Sequence, residues 1–203
     1  MKKIMITGFE PFDKEKINPS EELLKHMDRK RLQCHLQTLL LPVTVKEAGE
    51  NVKKALESIQ PDYLVSFGLS GRISQVALER IAINIVDARI PDNNGDQPKD
   101  MSINAKGPVA YWSALPIRRL EKNLKNEGIP VNVSYSAGTY ICNYVMYNAL
   151  DYIKEKGLKT KSGFIHIPFL PEQCLEHPLR SSMDLSLLVR MINTVIDTLM
   201  DEQ

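Results

Sequence analysis

Three residue types suited to acyl-transfer chemistry stand at informative places in this chain. Cys142 follows the run Ser136-Ala137-Gly138-Thr139-Tyr140-Ile141, which reads as a strand end and turn leading into a helix. A cysteine in the first turn of a helix has backbone N–H groups and the positive end of the helix dipole beside its sulfur, an environment that favours the nucleophilic thiolate. A small buried residue at a tight turn fits the same spacing, because free cysteine is commonly buried. His166 lies among Phe164, Ile165, Ile167 and Phe169, an apolar strand in which a titrating ring needs a partner. It is a candidate base, or else a core histidine with its hydrogen bonds satisfied. Glu79 stands in register with Ile81, Ile83 and Ile85, so alternation points an ionisable group to an isoleucine face. Orienting an imidazole is one use for it; pairing with Arg72 or Arg80 at a strand end is the other.

Competing motifs are thin. Gly68-Leu69-Ser70-Gly71 lacks the spacing of a nucleophile elbow, and neither a dinucleotide fingerprint nor a P-loop is present. No cofactor is therefore expected. Cys174 and His177 form a CxxH pair without the two further ligands that a structural zinc requires, so no metal is expected either.

The surrounding pattern must bring these groups together. Residues 4–7 form a short apolar strand stopped by Gly8 and Pro11. Asn18-Pro19-Ser20-Glu21 predicts a helix start, with Asn18 as N-cap, Pro19 at the first helical position and Glu21 reaching back. A strand follows at 36–41, then a capping box at Thr44-Val45-Lys46-Glu47 and a helix that Pro61 ends, then a strand at 63–67. Residues 76–86 alternate like a strand or hairpin arm, and the polar stretch 87–108 is longer than a simple connection needs. Ser113 is placed as the cap of a helix that runs to Asn126 and closes at Gly128; a strand at 131–136, a helix at 142–156, a strand at 163–167 and a helix at 184–200 complete the chain. Short apolar strands alternating with helices predict a three-layer α/β/α sandwich around a twisted, mostly parallel sheet. In such a sheet ligands bind at the carboxyl ends of the strands, where Thr7-Gly8-Phe9, Gly68-Leu69-Ser70-Gly71, Ser136-Ala137-Gly138 and His166 are expected to converge.

Composition narrows the function classes. The chain has 203 residues, 26 Lys and Arg against 25 Asp and Glu, 43% apolar residues and three cysteines. A net charge of +1 gives no electrostatic basis for binding nucleic acid or a membrane surface. The length and apolar content predict a single domain over 1–203, and the odd, widely spaced cysteines (Cys34, Cys142, Cys174) suit a cytoplasmic protein with reduced thiols. The first residues contain too short an apolar run for a signal-peptide core.

Six blocks in order resemble the pyroglutamyl peptidase I family of cysteine peptidases. They are Thr7-Gly8-Phe9-Glu10-Pro11-Phe12, Asn18-Pro19-Ser20, Glu79-Arg80-Ile81-Ala82-Ile83-Asn84, Ala88-Arg89-Ile90-Pro91-Asp92, Ser136 to Asn143, and Phe164-Ile165-His166-Ile167-Pro168. The resemblance implies hydrolysis of an N-terminal pyroglutamyl residue through a thioester, without a cofactor, by a homotetramer. Its triad falls on Cys142, His166 and Glu79. It further implies that Phe9 and Phe12 hold the lactam ring, that Asn18, Ile90 and Tyr140-Ile141 line the pocket, and that Arg89 lies near the reacting carbonyl. Leu69 stands where relatives often carry glutamine, which puts a polar pocket contact in question. Asp13-Lys14-Glu15-Lys16 is more charged than the glycine-containing loop common in relatives. A nucleoside phosphorylase on a similar sandwich, or a non-catalytic binding protein using the same crevice, are the alternatives to test against.

Overall fold

The computed structural model describes residues 1–27, 34–177 and 179–202. In chain order the elements are β1 (Lys3–Phe9), α1 (Pro19–His26), β2 (His35–Leu41), α2 (Val45–Ile59), β3 (Tyr63–Leu69), β4 (Val76–Glu79), β5 (Ile81–Ile83), β6 (Ala110–Trp112), α3 (Ile117–Asn126), β7 (Val131–Ser134), α4 (Ile141–Lys156), β8 (Lys161–Ile167) and α5 (Leu185–Met200). Among the described residues, six strands form one sheet in the order β2-β1-β3-β8-β4-β7, while β5 and β6 pair as a separate ribbon.

Four of the five pairings in the main sheet are parallel, and β4 runs antiparallel to β8. Helices cover both faces. On one side Leu23, Leu120, Leu188 and Ile192 from α1, α3 and α5 pack against Ile6, Val65, Leu78 and Ile165. On the other, Val52 and Leu56 of α2 and Val145 and Ala149 of α4 pack against Met5, Leu64 and Phe164. The strands of β1, β3 and β8 are buried on both faces, which is why each is nearly continuous in apolar residues.

The antiparallel placement of β4 corrects one expectation. Because β7 runs with β4, its end does not lie with the ends of β1, β3 and β8. Ser134 pairs with Glu79, Glu79 with Phe164 and Phe164 with Ser66, so β7 stops level with the middle of β3. Residues 135–140 then carry the chain back to the sheet edge where α4 begins. Glu79 also owes nothing to the isoleucine register. It belongs to the main sheet, the chain leaves that sheet at Arg80, and in β5 it is Ala82 that is buried while Ile81 and Ile83 stay half-buried.

Helix ends follow the sequence in part. Asn18 caps α1 by accepting the Ser20 N–H at 3.0 Å, but Glu21 pairs with Lys25 instead of reaching back. Thr44 makes no side-chain cap on α2; the Asp92 carboxylate accepts the Val45 N–H at 2.8 Å from 47 residues away. Ser113 lies before α3 without capping it, since the helix starts at Ile117 after Pro116. α4 carries no side-chain cap from Tyr140.

The contact between β1 and α1 is closest at Gly8. A Cβ there would lie 2.6 Å from the Ser20 carbonyl oxygen, which is backbone and cannot swing aside. Gly8→Ala is expected to destabilise the protein by about 1 to 3 kcal/mol through overpacking. Urea unfolding measures it, and an unchanged midpoint would show that α1 shifts freely on the sheet.

Candidate active site

β8 and β4 supply two of the three candidate groups. In their antiparallel ladder Ala77 stands opposite His166 and Glu79 opposite Phe164, so all four side chains share the face covered by α4. Glu79 is thus the diagonal neighbour of His166. Its Oε1 lies 2.8 Å from His166 Nδ1, and both residues are buried, at 2% and 6% exposure. Phe164 packs its ring 4.8 Å from the imidazole and tilted by 52°, which fixes the second side of the ring.

Cys142 is the second residue of α4 and is half-buried. Its sulfur is close enough to His166 to hydrogen-bond with it. Since Nδ1 is engaged by Glu79, Nε2 is the nitrogen left for the thiol. Two features hold this approach. Gly68 has no side chain, and a Cβ on it would lie 2.7 Å from Phe164 and 3.1 Å from Cys142 Sγ. Asn143, fully buried, accepts the Ile83 N–H at 2.9 Å and donates to the Ile83 and Ile85 carbonyls at 2.9 and 3.0 Å, fastening the start of α4 to β5.

Burial by itself would push the imidazole pKa down. The charge and hydrogen bond of the Cys142 sulfur, then those of Glu79, outweigh it and raise His166 to about 10. The protonated imidazole that this favours lies between the Cys142 sulfur and the Glu79 carboxyl group. Glu79 Oε2 has no hydrogen-bond partner among the described residues.

Beside the sulfur is a small recess lined by Phe9, Phe12, Asn18, Val43, Leu69, Tyr140, Ile141 and Cys142. Six of the eight pocket residues expected from the sequence meet there. Arg89 and Ile90 do not line it; they stand on the neighbouring segment, Arg89 exposed and near enough to Tyr140 to act on its charge. Asn18 is fully engaged in structure. Its Oδ1 accepts from the Ser20 N–H and hydroxyl, and its Nδ2 donates to the Glu10 carbonyl at 2.9 Å, which steadies the chain between Phe9 and Phe12. Leu69 is buried and turns an apolar side chain to the recess. Val43 joins the lining without having been singled out, since its only sequence signal was its place between a strand-ending proline and a helix cap.

The charged loop at 13–16 continues directly from recess-lining Phe12. Asp13 and Lys14 take positive φ, 52° and 65°, a conformation that glycine adopts without strain. Glu15 anchors the loop through Arg180 at 2.7 Å and Gln173 at 2.9 Å. A much larger groove of about 550 Å³ opens between α3 and α5, lined by polar side chains such as Asn123, Arg190 and Asp197. It holds no nucleophile paired with a base, whereas the smaller recess of about 20 Å³ adjoins Cys142.

Known proteins resemble this chain along its whole length. The family model for pyroglutamyl peptidase matches residues 2–202. The pyrrolidone-carboxylate peptidase of Thermococcus litoralis is 48% identical over 174 residues, covering 85% of this chain and 79% of that one. The pyrrolidone-carboxylate peptidase of Bacillus subtilis is 41% identical, covering 94% and 89%. Among solved structures, pyroglutamyl peptidase I from Bacillus amyloliquefaciens superposes with a TM-score of 0.94 at 36% identity, over 99% of this chain and 96% of that one. A Pyrococcus furiosus pyrrolidone carboxyl peptidase mutant gives 0.92 at 40% identity, over 98% of each. The chain belongs to the pyroglutamyl peptidase family, enzymes that remove an N-terminal pyroglutamyl residue.

Proposed function

We propose that Cys142 is the nucleophile of this peptidase, His166 its general acid and base, and Glu79 the group that orients the imidazole and stabilises its charge. The observation that carries the reading is the convergence of these three side chains at the uncapped start of α4, with one imidazole nitrogen on a buried carboxylate. The Cys142 sulfur attacks the pyroglutamyl carbonyl carbon, and the carbonyl oxygen becomes an oxyanion. Backbone N–H groups in the first turn of α4, which Tyr140 does not cap, are the donors for it. As the C–N bond breaks, His166 gives its proton to the departing amine, leaving a thioester and a neutral imidazole. Water then attacks the thioester, the imidazole takes its proton, and pyroglutamate leaves as the thiolate is restored.

The recess suits a lactam that carries no α-ammonium group. Phe9 and Phe12 clamp the ring, with Val43, Leu69 and Ile141 as further apolar walls, Tyr140 and Asn18 at the edge, and Arg89 and Ile90 on the approach. No metal or cofactor takes part in this scheme. Among the described residues no helix is long and apolar enough to cross a membrane. The same reading has 1–203 acting as one peptidase domain, in the cytoplasm, as a homotetramer whose contacts cover exposed Val109, Trp112 and Tyr135; sedimentation velocity tests the assembly.

Release of a chromogenic amine from its pyroglutamyl derivative tests the activity, and three outcomes test the roles. Iodoacetamide is expected to inactivate by labelling Cys142. Burial, aided by Asp197, pushes the Cys34 thiol pKa up, so Cys34 should react slowly. Mass spectrometry that placed the inactivating adduct on Cys34 or Cys174, or full activity in Cys142→Ser, would refute the nucleophile.

The second outcome is a pH profile. His166 keeps its proton until the pH rises through about 10, so kcat/KM should fall on that alkaline side as the imidazolium is lost. Glu79 helps hold the proton, hence Glu79→Gln should move the alkaline limb to lower pH and reduce kcat, less severely than His166→Ala. An unmoved limb would return Glu79 to a packing role.

The third concerns the clamp. Phe9→Ala or Phe12→Ala removes apolar contact worth on the order of 1 to 3 kcal/mol, or roughly 5- to 150-fold in kcat/KM. An unchanged kcat/KM on the pyroglutamyl substrate would make both rings ordinary loop packing.

A further inference from the structure

Residues 91–93 run past the recess and bond to three of its walls. The Pro91 carbonyl accepts from the Tyr140 hydroxyl at 3.1 Å. The Asp92 carboxylate accepts the N–H of Val45, two residues after recess-lining Val43. Asn93 donates its backbone N–H to the Val43 carbonyl at 2.9 Å and its side-chain amide to the Pro11 carbonyl at 3.2 Å. Pro11 lies between Phe9 and Phe12. Three consecutive residues therefore reach three segments far apart in sequence, and each of those segments contributes side chains to the recess.

The clasp is shaped by its own backbone. Asp92 Oδ1 accepts the N–H groups of Asn94 and Asp96 at 2.9 Å each, the Asp92 N–H donates to the Asp96 carbonyl, and Gly95 turns the chain at φ 86°. That turn fixes the backbone of residues 91–93 through its own hydrogen bonds. The two polar side chains then do different work. Asp92 is buried and caps α2, so it belongs to the fold. Asn93 is exposed, and among the described residues the bond its amide makes goes to the loop that carries both candidate clamp rings.

We propose that Asn93 is a positioning residue for substrate specificity: by tethering Pro11 to the strand end at Val43, it sets the spacing of Phe9 and Phe12 against the opposite wall without touching the substrate itself. The inference rests on the reading of the recess as the lactam slot. It gives the long 87–108 segment a task that a connection would not need, and it explains how a loop with two left-handed non-glycine residues, Asp13 and Lys14, can present Phe12 in a defined position.

Asn93→Asp and Asn93→Ala test it, the first removing the donor at nearly constant shape and the second removing it without adding charge. Steady-state kinetics on pyroglutamyl and prolyl amides of one chromogenic amine, together with thermal unfolding, supply the readouts. The expected result in both variants is a KM for the pyroglutamyl substrate raised by about 2- to 10-fold, the worth of one hydrogen bond. The kcat and the thermal midpoint should stay unchanged, and preference over the prolyl substrate should fall. An unchanged KM and preference in both variants, with an active wild type, would overturn the inference alone. So would a lowered thermal midpoint with kcat and KM disturbed together, since that is a fold residue's signature. A wild type inactive on the pyroglutamyl amide would overturn the slot reading and this inference with it.

Discussion

A carboxylate held against an imidazole almost wholly out of water governs how this protein is built. Removing an ion from water costs several kcal/mol unless a partner and good geometry offset it. Glu79 and His166 meet that condition only as a pair, 2.8 Å apart, with Cys142 on the far side of the ring. The requirement reaches back into topology. In the antiparallel ladder a residue two places along the neighbouring strand is a diagonal contact on the same face, and that offset puts Glu79 beside His166 while Ala77, which is small, faces it directly. The single antiparallel pairing in the sheet is therefore the one at which the ion pair is made.

The nucleophile is placed by different means. α4 starts at the sheet edge because residues 135–140 return there from β7, and Asn143 locks its first turn to β5 through three hydrogen bonds. Gly68 then permits the sulfur to approach β3 while Phe164 fills the space beneath. Among the described residues, side chains cap α1 and α5 and Asp92 caps α2, whereas α3, which starts behind Pro116, and α4 have no side-chain cap. A capping side chain at α4 would compete for the N–H groups that the reaction needs, so its absence at this helix is consistent with the proposed chemistry.

Much of this could be read from the residues. The alternation of strands and helices, the cap at Asn18 and the meeting of Cys142 with His166 all follow from patterns that tertiary packing did not override. What was not legible depends on distant contacts. Strand direction carries no local signal in a run of four residues, so the reversal of β4 and β7 and the true reason for Glu79's burial were hidden. Thr44-Val45-Lys46-Glu47 spells a capping box, but the cap comes from Asp92, whose proximity no spacing rule encodes. Val43 and Asn143 were missed for the same reason. Arg89 and Ile90 entered through family resemblance alone, and they stand beside the recess without lining it.

The apolar lining of the recess follows from the same electrostatics as the ion pair. In the proposed reading charge develops between the sulfur, the imidazole and the carboxylate, and such interactions are strongest where the surroundings respond least, because mobile water would screen them. Phe9, Val43, Leu69 and Ile141 present an apolar wall on the side where the proposed function seats the substrate, and Phe164 packs against the imidazole from below. Leu69 adds no polar side-chain atom to that lining. With an apolar side chain there, the recess can hold a neutral ring by contact and leave charge stabilisation to the α4 backbone and His166. In the proposed reading recognition and chemistry are thereby divided between an apolar wall and a polar helix start, with Cys142 at the boundary belonging to both.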